Sequence, residues 1–112
     1  MAPDENVLTK GTHIFNFNEM KPFEWNEEKN KWLKRERDVT FEKVVFSIEN
    51  GKLLDIIMHP SQTKFKDQRV YVIEIEGYAY MVPHVEDADV IFLKTIFPSR
   101  KYTKIYLRKD EK

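Results

Sequence analysis

An arginine and a histidine at the two ends of a predicted β-hairpin are the residues of this sequence best suited to chemistry. Two runs of alternating apolar and polar residues, 69–75 and 78–84, are separated only by Glu76 and Gly77. A two-residue connection containing glycine predicts a tight hairpin turn. That turn fixes the strand register, so Arg69 lies opposite His84 on one face of the sheet. The pair predicts a site for general acid–base chemistry, because histidine titrates near neutral pH. The alternative is structural: a strand-ending arginine and a polar edge histidine.

A second candidate is the segment Pro98-Ser99-Arg100-Lys101. Cations at the start of a helix oppose the helix dipole, and a sequence that accepts this cost is consistent with an anion site, typically for phosphate. Residues 94–112 also hold seven Lys and Arg residues against two acids. This local excess indicates a basic surface that can contact nucleic acid. The alternative is a solvated helix with a frayed charged tail.

Bulk composition excludes several classes of function. The chain has 112 residues, a formal net charge of zero and no cysteine. Disulfides, thiolate catalysis and zinc–thiolate sites are therefore excluded, and any nucleic acid must be bound by a local patch. The three histidines do not fall at metal-ligand spacings and there is no glycine-rich phosphate loop, so neither a metal nor a cofactor is expected. The sequence has no membrane span and no secretory signal at its start, which predicts a cytoplasmic protein.

The elements that must position these residues follow from capping and periodicity. Asn26 is suited to cap a helix over Glu27–Arg37, and Thr40 a second helix ended by Asn50 and Gly51. Strands are predicted over residues 53–58, 69–75, 78–84 and 90–97, followed by a last helix capped by Ser99. We therefore predict an α+β fold, with two N-terminal helices packed on a twisted four-stranded antiparallel sheet and a C-terminal helix. Residues 1–22 are predicted to be a flexible or added extension, and residues 23–109 a single domain.

Several stretches together resemble a known family. The sequence FEWNEEKN at residues 23–30 is similar to the opening signature of BrnT-type toxins, the ribonuclease members of bacterial type II toxin–antitoxin systems. The resemblance continues through VTFEKV at residues 39–44, and then through single residues: Arg69, His84 and the segment Ser99-Arg100-Lys101. It spans about residues 21–107.

The resemblance implies a RelE-like fold and a metal-independent endoribonuclease that leaves a 2′,3′-cyclic phosphate and a 5′-OH and so inhibits translation. It also implies a cognate antitoxin, typically with a ribbon-helix-helix segment, that covers the toxin. DNA is then contacted only through the toxin–antitoxin complex. The residues that we assign to these roles are His84, Arg69 and Arg100 for catalysis, Lys101, Tyr80, Lys94 and Lys104 for RNA binding, and Trp25 and Trp32 for antitoxin binding.

Two features depart from the family pattern. Typical members are basic and have an arginine in the last strand, whereas this chain is neutral and has Thr95 there. Five acids also surround the predicted sheet, at positions 74, 76, 86, 87 and 89. These departures favour an alternative function, a catalytically weak or inactive toxin-like module that binds a partner protein.

Overall fold

The computed structural model describes residues 21–64 and 68–107. The described chain begins with strand β1 (Phe23–Trp25), which is followed by helices α1 (Glu27–Arg37) and α2 (Phe41–Glu49). Both helix starts are as predicted: the Asn26 side chain accepts a hydrogen bond from Lys29 N, and that of Thr40 from Lys43 N. These bonds satisfy amides that have no partner inside the helix.

The sheet differs from the prediction. It has six strands in mixed orientation: β1, β2 (Leu53–Met58), β3 (Arg69–Ile75), β4 (Tyr78–Glu86), β5 (Ile91–Leu93) and β6 (Phe97–Pro98). The order is β1-β5-β4-β3-β2, with β6 also paired to β4, and β1 runs parallel to β5. The prediction of two leading helices on a four-stranded antiparallel sheet is therefore wrong, although the fold is α+β.

Two local features cause this difference. β1 precedes the helices in the chain and joins the sheet beside β5, so one pairing is parallel and the sheet gains a strand. The strand predicted over residues 90–97 is divided into β5 and β6, which pair with β4 in registers that differ by one residue. An extra residue of this kind is a β-bulge, which interrupts the ladder and bends the strand.

The hairpin forms as predicted. Glu76 and Gly77 have φ values of 52° and 81°, and a turn with two positive φ angles matches the twist of the strands that it joins. Ile75 pairs with Tyr78, and the same register pairs Arg69 with His84.

One apolar core lies between the two N-terminal helices and the sheet. Its fully buried members include Leu33, Val39, Phe41, Val44, Ile48, Ile73, Val82, Leu93 and Ile96, while Trp25, Trp32 and Phe23 pack against its margin. The buried apolar face of α2, formed by Phe41, Val44 and Ile48, is thus the surface that covers the sheet.

The last helix, α3 (Arg100–Leu107), is tied to one end of β4. Ser99 N donates to Ala79 O at 2.9 Å, and Ala79 N donates to Thr103 Oγ1 at 2.8 Å. The Ser99 hydroxyl accepts from Tyr102 N, as expected for the predicted cap. At its other end, α3 reaches β2 through a hydrogen bond from the Tyr106 hydroxyl to the Asp55 carboxylate.

The predicted extension at residues 1–22 lies outside the described residues except for Lys21 and Pro22, as do residues 108 and 109 of the predicted domain. No helix in the described part of the chain is long and apolar enough to cross a membrane.

Candidate functional site

The Arg69–His84 pair opens onto a cleft at one end of the sheet. The cleft has a volume of about 550 Å³ and is lined by Lys21, Arg69, His84, Glu86, Asp87 and Ala88. β3 and β4 supply the two predicted residues through their pairing, while the last residue of β4, Glu86, and the turn that follows, with Asp87, supply the acids. The structure therefore brings Arg69 and His84 together as the hairpin register predicts.

The His84 imidazole is held by two contacts. Its Nδ1 lies 3.0 Å from Val82 O, and its ring stacks on Tyr71 with 3.7 Å between centroids and 11° between planes. A carbonyl oxygen can only accept, so Nδ1 carries the proton, and in the neutral ring Nε2 carries the lone pair. Only 3% of the residue is exposed, at the wall of the cleft. The histidine thus has one defined tautomer and one nitrogen free to accept a proton.

Burial sets the protonation state of this histidine. Desolvation lowers the pKa of His84, and the nearby Arg69 charge lowers it further, while the hydrogen bond to Val82 and the Glu86 charge oppose the shift. The net effect is a pKa below the usual 6.5. At neutral pH the imidazole is therefore uncharged, the state that a general base requires.

The two cations of the cleft differ in their partners among the described residues: Lys21 is held by acidic neighbours, whereas Arg69 is not. Lys21 Nζ lies 2.7 Å from Glu86 Oε2 and donates to Asp87 O at 2.6 Å. The Asp87 carboxylate accepts from the Asp89 and Val90 amides, and these bonds lower the pKa of Asp87. Arg69 forms no ion pair with any residue of the described ranges. Its guanidinium is thus the cleft cation that remains available to an anionic ligand.

The cations of α3 are not part of this cleft. Arg100, Lys101 and Lys104 lie on a helix anchored at Ala79, five residues along β4 from His84. At the rise of a β-strand this separation is roughly 17 Å. The structure therefore does not place Arg100 beside Arg69 and His84 as a single catalytic group.

The other two predicted RNA contacts lie at different places. Tyr80 is on the same face of β4 as His84, since strand residues alternate, but it packs against the margin of the core. Lys94 follows Leu93, the partner of His84, and so faces the opposite side of the sheet, where its Nζ lies 5.7 Å from the Phe92 ring centroid.

Both predicted antitoxin-binding tryptophans are half-buried. Trp25 stacks on Phe41 at 5.5 Å, and Trp32 has Lys29 and Arg37 within 4.4 and 5.0 Å of its ring centroid. Trp25 therefore contributes to packing, and the Trp32 ring is in contact with two cations.

Sequence reasoning missed Lys21, Glu86 and Asp87 as cleft residues, and Tyr71 as the support of His84. The hairpin register contained the signal for Tyr71, because a residue paired with Val82 is the diagonal neighbour of His84. Lys21 had no such signal, because it reaches the cleft only through the pairing of β1 with β5 and the bond from Ile91 N to Pro22 O.

Among the described residues no group of three or more His, Cys, Asp or Glu is arranged to hold a metal ion. Comparisons with protein-family models, curated proteins and solved structures give no match. Fold and site define an α+β protein with a mixed sheet, whose cleft combines a neutral, single-tautomer histidine with an arginine that has no ion pair in the part of the chain that the structure describes.

Proposed function

We propose that this chain is an endoribonuclease, the toxin component of a type II toxin–antitoxin system that inhibits translation in the cytoplasm. The observation that carries the reaction is the placement of Arg69 opposite a His84 whose Nδ1 is engaged by Val82 O. The resemblance of residues 23–30 and 39–44 to BrnT-type toxins supports the class of protein. The partner is then a cognate antitoxin, with DNA contacted only through the complex.

The proposed reaction is an internal transesterification of RNA. Nε2 of His84 removes the proton of a ribose 2′-OH, and the 2′ oxygen attacks the adjacent phosphorus. The P–O bond to the 5′ oxygen breaks, that oxygen takes up a proton, and the products carry a 2′,3′-cyclic phosphate and a 5′-OH. His84 then releases the proton that it gained and returns to its neutral state.

Arg69 stabilises the charge that develops on the phosphate. A guanidinium donates two parallel hydrogen bonds to phosphate oxygens, and its stabilisation grows as charge accumulates in the transition state. Burial is the main cause of the lowered pKa of His84, and the Arg69 charge adds a small effect in the same direction. No metal takes part in this scheme, as the resemblance implies.

Induced expression without an antitoxin tests the proposal. Wild type, His84→Ala and Arg69→Ala are compared with Arg35→Gln, a control that removes a surface arginine paired with Glu36 on α1. Wild type and control should arrest growth and produce RNA fragments with 5′-OH ends. The other two variants should not. His84→Ala removes the general base, which lowers the rate by about 10²–10⁴-fold, and Arg69→Ala removes the cation that stabilises charge on the phosphate. Intact RNA and equal growth in all four strains would refute the proposal.

A second candidate, a toxin-like module that binds a protein without cleaving RNA, is favoured by the charge of the cleft. Lys21 and Glu86 neutralise each other there, and Asp87 adds a further negative charge that repels phosphate. Two results together would establish this second function. The purified wild-type protein would bind a ribbon-helix-helix protein encoded by an adjacent gene, and it would leave RNA intact even at high protein concentration.

A further inference from the structure

Tyr71 is a buried residue that the proposed reaction does not use. It is 4% exposed, lies on β3 and is the diagonal neighbour of His84 across the hairpin. Burial, with a smaller effect of Glu86, raises the pKa of Tyr71 to about 12. The phenol therefore stays protonated at neutral pH and does not act as a base, and the contact that the structure shows with His84 is made by the ring.

The ring face of Tyr71 lies against the imidazole. With 3.7 Å between centroids and 11° between planes, the two rings are in stacked contact. The stack restricts tilting of the imidazole, and the bond from Nδ1 to Val82 O restricts its rotation. Together these contacts fix the direction of Nε2, the atom that takes the proton.

Strand β1 also contacts Tyr71, through the ring of Phe23. The Phe23 ring meets Tyr71 edge-on at 6.3 Å and 75°, a geometry that aromatic rings favour. Phe23 is itself held beside Ile91 by the parallel pairing of β1 with β5.

We propose that Tyr71 is a positioning residue for His84, with Phe23 as its support, so that strand β1 takes part in ordering the catalytic histidine. The expected effect on the cleavage rate rests on the proposed ribonuclease function. The ordering of the imidazole can be measured without RNA. We expect a single Nδ1–H tautomer and a depressed pKa for His84 only while an aromatic ring occupies position 71.

The test is the long-range ¹H–¹⁵N spectrum of the histidine side chains, recorded over a pH series. Wild type, Tyr71→Phe and Tyr71→Leu are compared with Tyr78→Leu, a control on the same hairpin at the turn end. Charged groups that line the cleft around His84, namely Lys21, Arg69, Glu86 and Asp87, are unchanged in all four proteins.

Wild type, Tyr71→Phe and Tyr78→Leu should show His84 as the Nδ1–H tautomer with a pKa below its usual value. Tyr71→Leu should show mixed tautomers and a pKa nearer to that value. In cleavage assays kcat of Tyr71→Leu should fall by about 10-fold or more with KM within about twofold, because misplacement of a catalytic atom affects the chemical step. Tyr71→Phe should restore the rate.

An unchanged tautomer, pKa and kcat in Tyr71→Leu would overturn the inference, and so would an Nε2–H tautomer in wild type. If Tyr71→Leu does not fold, Phe23→Leu replaces it at a half-buried position. Smaller changes of the same kind in the tautomer and pKa of His84 would then support the inference, and an unchanged tautomer and pKa would refute it. Failure of the proposed function is distinguishable, because wild type would leave RNA intact whatever the spectra show.

Discussion

Replacing Asn30 with alanine should reduce the stability of the fold by about 2 kcal/mol. Asn30 lies on α1, is 7% exposed and joins the two N-terminal helices. Its Oδ1 accepts from Phe41 N at 2.8 Å, and its Nδ2 donates to Glu42 Oε1 at 2.8 Å. The first amide of α2 is therefore satisfied by a side chain of α1.

The magnitude follows from the amide that loses its partner. Phe41 is the first residue of α2, so its N–H has no acceptor within the helix, and the Thr40 cap serves Lys43 instead. Phe41 is 0% exposed, so water cannot replace the lost acceptor. A buried, unsatisfied donor costs about 1–3 kcal/mol. For a chain of this size a loss of about 2 kcal/mol lowers Tm by roughly 10 °C.

Urea unfolding followed by circular dichroism measures this loss, with Asn50→Ala as the control. Within the described ranges the Asn50 side chain makes a single hydrogen bond, an exposed one to Phe46 O, so its removal should change the free energy of unfolding by no more than about 0.5 kcal/mol. If Asn30→Ala and Asn50→Ala destabilise equally, the Phe41 amide has another acceptor and the reasoning fails.

Three further predictions concern the edge strand, the histidine and the last helix. The Asp55 carboxylate accepts hydrogen bonds from the Tyr106 hydroxyl and from the Ile56 amide, and that amide points away from β3. Asp55→Ala should therefore expose the edge of β2 and cause concentration-dependent self-association, measured by light scattering. A monomer at every concentration would contradict this prediction. The folded state lowers the pKa of His84, so the unfolded chain binds more protons and the free energy of unfolding should fall as the pH drops below 6.5. His84→Gln should flatten that part of the pH profile in urea titrations, and an unchanged slope would argue against it. Thr103→Val should cost about 1–3 kcal/mol in the same assay, because it leaves the buried amide of Ala79 without an acceptor; a loss below about 0.5 kcal/mol would show that this amide finds another partner.

Local signals explain which parts of the fold were predictable. The bounds of α1 and β2 and the register of the hairpin depend on caps, periodicity and a two-residue turn, all of which lie within a few residues of what they determine. The Arg69–His84 pairing could therefore be predicted, because one turn fixes it.

Pairings distant in sequence explain the errors. β1 has three residues, and its partner β5 follows almost seventy residues later, so no local pattern indicates that they are parallel neighbours. The mostly apolar segment from Ile91 to Phe97 has the composition of one strand. The shift of one residue in its pairing with β4 leaves no sign in that composition, so the division into β5 and β6 could not be predicted. The grouping of Arg100 with Arg69 and His84 is a prediction from a cation at a helix start and from the resemblance. Neither determines the position of Arg100 in space, which is set by the anchoring of α3 at Ala79.

The parallel pairing of β1 changes the role of the segment that carries the resemblance. It brings Phe23 against Tyr71, the Pro22 carbonyl to the Ile91 amide, and Lys21 to the acidic turn at the cleft. The charged residues that line the cleft balance, with Lys21 and Arg69 against Glu86 and Asp87. Glu86 engages Lys21, whereas Arg69 has no ion pair among the described residues, so the cleft still offers phosphate one cation next to a neutral imidazole. In the proposed function, proton transfer at one end of the sheet and RNA binding by the basic surface of α3 at the other are separate determinants, so a loss of charge on α3 should weaken RNA binding without altering the ionisation of His84.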